Sequence, residues 1–148
     1  MVSPAPSFSA RTRRRVALAC LGAALGLAAP GCASRYKADA EPPTYAAQAK
    51  ISVKLNKTGN RQVRVEMLHL APPTKIANAN KMYMVWFSVP GSPPVKAGAL
   101  EYNARRRRGL LRATTPNPKF EVIVTIEQSV RPTAPSDQVI LRKLVSKI

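Results

Sequence analysis

The chain has 148 residues, 24 Lys and Arg against 7 Asp and Glu, one histidine and two cysteines. That length holds one folded domain behind an N-terminal targeting segment, not two. Both cysteines, Cys20 and Cys32, fall in the first 32 residues, which excludes a disulfide, a thiol nucleophile and a thiolate metal site from the domain.

Residues 1–31 carry the parts of a secretory signal peptide. Arg11, Arg13, Arg14 and Arg15 form a basic cluster, residues 16–29 (VALACLGAALGLAA) are uncharged and apolar, and Pro30 and Gly31 lead directly to Cys32. Small residues followed by a cysteine resemble the lipobox of bacterial lipoproteins, in which that cysteine is acylated and becomes the new N-terminus. The resemblance implies a lipoprotein-type signal peptide over 1–31, lipid attachment at Cys32, and a membrane-anchored place in the cell envelope, on the periplasmic face. Ala29 stands where the pattern prefers Leu. Ala38-Asp39-Ala40 offers an ordinary cleavage site instead, behind a long charged stretch. An uncleaved anchor is a third option, although residues 16–33 only reach the lower edge of the roughly 17–25 residues needed to span, and Gly22, Gly26 and Pro30 interrupt them. Thr12-Arg13-Arg14-Arg15-Val16 also resembles a twin-arginine export motif.

Residues 32–44 read as the acylated cysteine and a polar spacer that ends in a Pro pair. After Cys32 the chain carries 20 Lys and Arg against 7 Asp and Glu, or +13. Such a field favours anionic partners. For an exported chain these are anionic lipid head groups and cell-wall or lipopolysaccharide phosphates, and no nucleic acid is expected.

From residue 45 to 148 the pattern is β. Residues 50–56 alternate, with Ile51, Val53 and Leu55 on one face; a turn at Thr58-Gly59-Asn60 leads to residues 62–70, which continue through Val63, Val65 and Met67. Leu68 and Leu70 fall on the opposite face, which asks for a bulge or for cover on both sides. Residues 71–81 read as a loop and 82–89 (MYMVWFSV) as a central strand, with Tyr83, Val85 and Phe87 pointing one way and Met84 and Trp86 the other. Residues 95–102 return as a strand, 103–109 form a loop, 110–113 a short strand, 119–127 an alternating strand, and 138–145 the last one. About seven short strands divided by Pro and Gly turns predict a single antiparallel β-sandwich, immunoglobulin-like, all-β.

The chemical inventory is sparse. His69 lacks a nucleophile and an orienting carboxylate in the sequence pattern around it. Glu121 and Glu127 lie about 20 Å apart along one strand, too far for joint acid–base work on one bond. No catalytic residue, cofactor site or metal site is assigned. Arg105, Arg106, Arg107 and Arg108 form the one conspicuous cluster. As a hairpin tip they discourage edge-to-edge pairing; as a loop they are the candidate anion-binding residues, since guanidinium forks hold phosphate bidentately.

The order Tyr83-Met84-Val85-Trp86-Phe87, Pro94-Val95-Lys96-Ala97-Gly98, Phe120-Glu121-Val122-Ile123-Val124-Thr125-Ile126-Glu127 and Pro132-Thr133 resembles the C-terminal extracytoplasmic domain of the anti-sigma-K factor family. The resemblance covers about the last 80 residues. It implies a β-sandwich with a non-enzymatic binding or sensory-accessory role, including action beside a separate anti-sigma and sigma factor system or an envelope protein partner. Only about ten residues precede the basic cluster, so the family's cytoplasmic sigma-binding segment has no counterpart. Gln128-Ser129-Val130-Arg131 replace the family's glycine pair. No functional residue carries over.

Overall fold

The computed structural model describes residues 33–44, 46–76, 81–129 and 131–146; the signal residues 1–31 and Cys32 lie outside the described residues. Two antiparallel sheets enclose the core. The first runs β1 (Ser34–Asp39), β2 (Gln48–Leu55), β3 (Arg61–Leu68), β7 (Arg108–Thr115) and β6 (Glu101–Asn103), in that spatial order. The second runs β5 (Val95–Ala99), β4 (Met82–Ser88), β8 (Phe120–Glu127) and β9 (Val139–Val145). One helical turn, α1 (Pro73–Ile76), lies in the crossing from β3 to β4. With β1 set aside, β2-β3-β7-β6 and β5-β4-β8-β9 reproduce the ABED and C′CFG strand orders of an immunoglobulin-like sandwich. The all-β sandwich expected from alternation is the fold observed.

Alternation also decides what meets in the core. Ile51, Val53, Val63, Val65 and Met67 face inward from the first sheet, and Tyr83, Val85, Phe120, Val122 and Val124 meet them from the second, all buried in one cluster. Each such side chain stabilises the fold by about 1.5–3 kcal/mol on burial. That packing is how a domain without cysteines holds together.

The spacer reading of residues 33–44 is corrected. Ser34–Asp39 is β1, and it pairs along β2 from Ser34↔Val53 to Asp39↔Gln48. Tyr36 and Ala38 turn onto the core while Arg35, Lys37 and Asp39 face outward. Two modest apolar residues among charges make a weak pattern, but covering the open edge of β2 supplies the missing hydrogen bonds.

Three further boundaries differ for local reasons. His69 takes a left-handed backbone (φ 54°), which ends β3 and lets Leu70 turn into the core. Residues 95–102 are not one strand. Ala99 still pairs with Met84, Leu100 donates its N–H to the Tyr83 carbonyl at 2.8 Å, and from Glu101 the chain passes to the first sheet as β6. Finally, β7 begins at Arg108, so the expected loop shrinks to a tight turn.

The outer face of the second sheet is also covered. Met84, Trp86 and Ile123 are buried there. Trp86 Nε1 donates to Thr125 Oγ1 at 2.9 Å, Thr125 donates to Glu127 Oε1 at 2.5 Å, and the Ser136 N–H donates to the same oxygen at 2.9 Å. Trp86, Thr125 and Glu127 thus form a buried hydrogen-bonded thread that fastens the β8–β9 loop onto the sheet through Ser136.

Candidate anion-binding surface

Outward side chains of the first sheet stand in cross-strand rows, because alternation and register place them opposite one another. One row is Arg35, Ser52, Arg64 and Arg112. The next is Lys37, Lys50, Glu66, Leu110 and Glu101, and a third is Lys54, Gln62 and Thr114. With Arg108 and Asp39 included, seven cations share this face with three acids. The other sheet's outer face holds a buried tryptophan, so the two faces of the sandwich differ sharply in character.

Ion pairing does not balance the basic face. Glu66 Oε1 lies 2.5 Å from Arg108 Nη2, and its second oxygen is 3.7 Å from Arg64 Nη2. Among the described residues, Arg112 and Lys54 make no ion pair. An open hollow of about 500 Å³ lies over this part of the sheet, lined by Ser52, Lys54, Gln62, Arg64, Arg112 and Thr114. A larger hollow of about 640 Å³ borders the turns between β4 and β5 and between β7 and β8, but Lys96 is the one charged residue lining it.

The four consecutive arginines are divided rather than gathered. Arg105 and Arg106 are exposed in the turn, where Asn103 Oδ1 accepts the Arg106 N–H at 3.0 Å. Arg107 adopts a left-handed backbone (φ 48°), donates to the His69 carbonyl at 3.4 Å, and accepts the Leu70 N–H on its own carbonyl at 2.9 Å. Arg108 points along the sheet face to Glu66, and its Nε is buried without a hydrogen-bond partner. Two of the four therefore hold the turn and the sheet, which leaves Arg105 and Arg106 at the tip.

Sequence reasoning missed Lys54, Arg64 and Arg112 as a group. Each reads separately as an outward residue of an alternating strand, and only the register of β2, β3 and β7 brings them together. The signal was present as a basic residue at an outward place in each strand, but it cannot be assembled without strand order.

The remaining titratable groups have structural work. Tyr83 donates its hydroxyl to the Ala71 carbonyl at 2.8 Å and Tyr102 donates to the Leu70 carbonyl at 3.0 Å. Burial, chiefly, raises the pKa of both phenols. Glu121 approaches Arg142 at 3.4 Å, and Glu127 sits in the buried Trp86 thread. Among the described residues no group of three or more His, Cys, Asp or Glu side chains could hold a metal. No described helix is long and apolar enough to cross a membrane.

No family model, curated protein or solved structure matches this chain. The chemistry of the surface therefore rests on its own residues.

Proposed function

We propose that the chain is a non-enzymatic envelope lipoprotein, acylated at Cys32, which becomes the N-terminus when residues 1–31 are removed, and that its β-sandwich is a binding module held against the membrane. One observation carries the reading. In the sequence a single residue, Ala33, separates Cys32 from the start of β1 at Ser34. Ser34 opens the end of the sheet where Arg35, Lys54, Arg64 and Arg112 face outward. An acyl anchor at Cys32 would thus bring the basic face to an anionic lipid or cell-wall surface, where each nearby cation contributes about 1 kcal/mol. The Arg105–Arg106 tip lies beyond the opposite end of β7, whose first residue, Arg108, is about 20 Å from Thr114.

Lipid labelling of the wild type and of Cys32→Ser tests the anchor. Label on the wild type alone supports it; equal label on both, or on neither, refutes it.

A second reading is a regulator acting beside a separate anti-sigma and sigma factor pair, through an envelope protein partner. It is favoured by Tyr83, Trp86, Thr125 and Glu127, motif residues that all serve the packing of the sandwich, as in a detached domain of that family. It predicts a co-purifying membrane protein and indifference to loss of charge on the sheet face.

A further inference from the structure

We infer that the hollow over Arg64 and Arg112 is a discrete site for the phosphoryl group of an anionic phospholipid in the membrane that carries the Cys32 anchor. This deepens the lipoprotein reading and rests on it for the location of the ligand.

Three features converge on a phosphoryl group. Arg64 and Arg112 are direct cross-strand partners, so their Cβ atoms stand about 4.5–5.5 Å apart and both guanidinium forks reach one oxyanion. Lys54 adds a third cation in the adjoining row, and the hydroxyls of Ser52 and Thr114 and the amide of Gln62 supply neutral donors around the same hollow. The compensating acid is already engaged: Glu66 is held at 2.5 Å by Arg108 and reaches Arg64 only at 3.7 Å. Three cations with several donors suit a tetrahedral phosphoryl group, which offers more oxygens than a planar carboxylate.

Size and place fit a head group on a lipid. About 500 Å³ exceeds what a bare phosphate needs and lies in the range of small-ligand sites. Strands lie about 4.8 Å apart, so the Arg35–Ser52–Arg64–Arg112 row crosses the sheet within about 15 Å of β1. The anchor leaves from that same end. A lipid phosphate beside the acyl chains of Cys32 is therefore within reach, and the like-charged pair is the element it relieves.

The test uses the acylated protein purified from membranes. In neutral detergent, glycerol 3-phosphate should bind saturably, and Arg64→Gln/Arg112→Gln should weaken it about tenfold or more, while Arg105→Gln/Arg106→Gln leaves it unchanged. In nanodiscs, Lys54 should react more slowly with an amine reagent when phosphatidylglycerol is added to phosphatidylcholine, and the double variant at Arg64 and Arg112 should abolish that difference. Arg64→Lys/Arg112→Lys keeps the charge but removes the forks, and it should also weaken binding, which guards against a Gln pair that fails to fold. Absence of saturable binding, or equal loss in the Arg105 and Arg106 control, overturns the site. Glycerol 3-phosphate binding without phosphatidylglycerol protection of Lys54 overturns the lipid as its source. If Cys32 carries no lipid yet glycerol 3-phosphate still binds through Arg64 and Arg112, the anchor reading falls and the phosphoryl site stands.

Discussion

Arg64 and Arg112 face each other directly across the β3–β7 ladder, two like charges in register on the solvent face of the first sheet. Opposed like charges on neighbouring strands destabilise by roughly 0.2–1 kcal/mol. Arg112→Gln should therefore leave unliganded stability unchanged or raise it by up to about 1 kcal/mol. Salt screens the repulsion, so the wild-type Tm should climb with ionic strength more steeply than that of the variant. Thermal unfolding at low and high salt checks both statements. A marked loss of stability in Arg112→Gln would instead assign the arginine stem a packing role.

The buried thread on the other sheet makes the opposite kind of demand. Thr125 accepts from Trp86 Nε1 and donates to Glu127 Oε1, both within the covered outer face. Thr125→Val keeps the shape and removes both bonds. It should cost about 1–3 kcal/mol, because the indole N–H loses its acceptor while remaining buried. Trp86 is the sole tryptophan, so its fluorescence reports urea unfolding and the local change together. An unaltered urea midpoint would show that the indole finds another acceptor.

Much of the fold was legible because period-two alternation marks the two faces of β2 and β3, while a short apolar run marks β4 as a strand covered on both sides. Ile51, Val53, Val63, Val65 and Val85 announce inward faces, and the core is where they predict. What alternation could not show was pairing. β1 was hidden because Tyr36 and Ala38 are its only core contacts and charges surround them. The switch between β5 and β6 was hidden because it falls at the single residue Leu100, between Ala99 and Glu101, inside one unbroken extended run. The same gap affected the candidate site. Four consecutive arginines are conspicuous in a sequence, yet the turn divides them, while Arg64 and Arg112 lie 48 positions apart and meet through register alone.

Gly98, one residue before β5 ends, carries two constraints. Its φ of 143° lies in a region that L side chains rarely adopt, and an added Cβ would stand 3.0 Å from Leu111 Cδ1. Gly98→Ala should destabilise by about 1–3 kcal/mol. The loss should be local as well as global, with faster hydrogen exchange at Leu100, whose N–H is held by the Tyr83 carbonyl. Gly91 provides the control. It also has a positive φ (79°), but an added Cβ meets nothing within 4 Å, so Gly91→Ala carries backbone strain alone. Equal costs at the two positions would remove the Leu111 contact from the explanation.

Tyr83 makes stability depend on alkaline pH. Its phenol is buried, its hydroxyl donates to the Ala71 carbonyl, and the Tyr102 ring lies 6.1 Å away. Burial first, and then the charge that Tyr102 would carry, raise its pKa above the ordinary value of 10.0. The Tyr102 pKa is raised by burial too, with Arg107 pulling the other way. The folded protein thus holds these protons more tightly than the unfolded chain. The stability they contribute is complete below about pH 10 and is lost as pH rises above the unfolded-state value. Tyr83→Phe should be less stable by about 1 kcal/mol at pH 7, where only the hydrogen bond is missing. Its decline above pH 10 should be shallower than that of the wild type, because the strongest shifted group is gone. Urea midpoints at pH 7, 9, 10 and 11 measure the two effects separately. A parallel alkaline decline in both proteins would assign the titration to other groups, while loss of stability at pH 7 alone would leave Tyr83 only its hydrogen bond to Ala71.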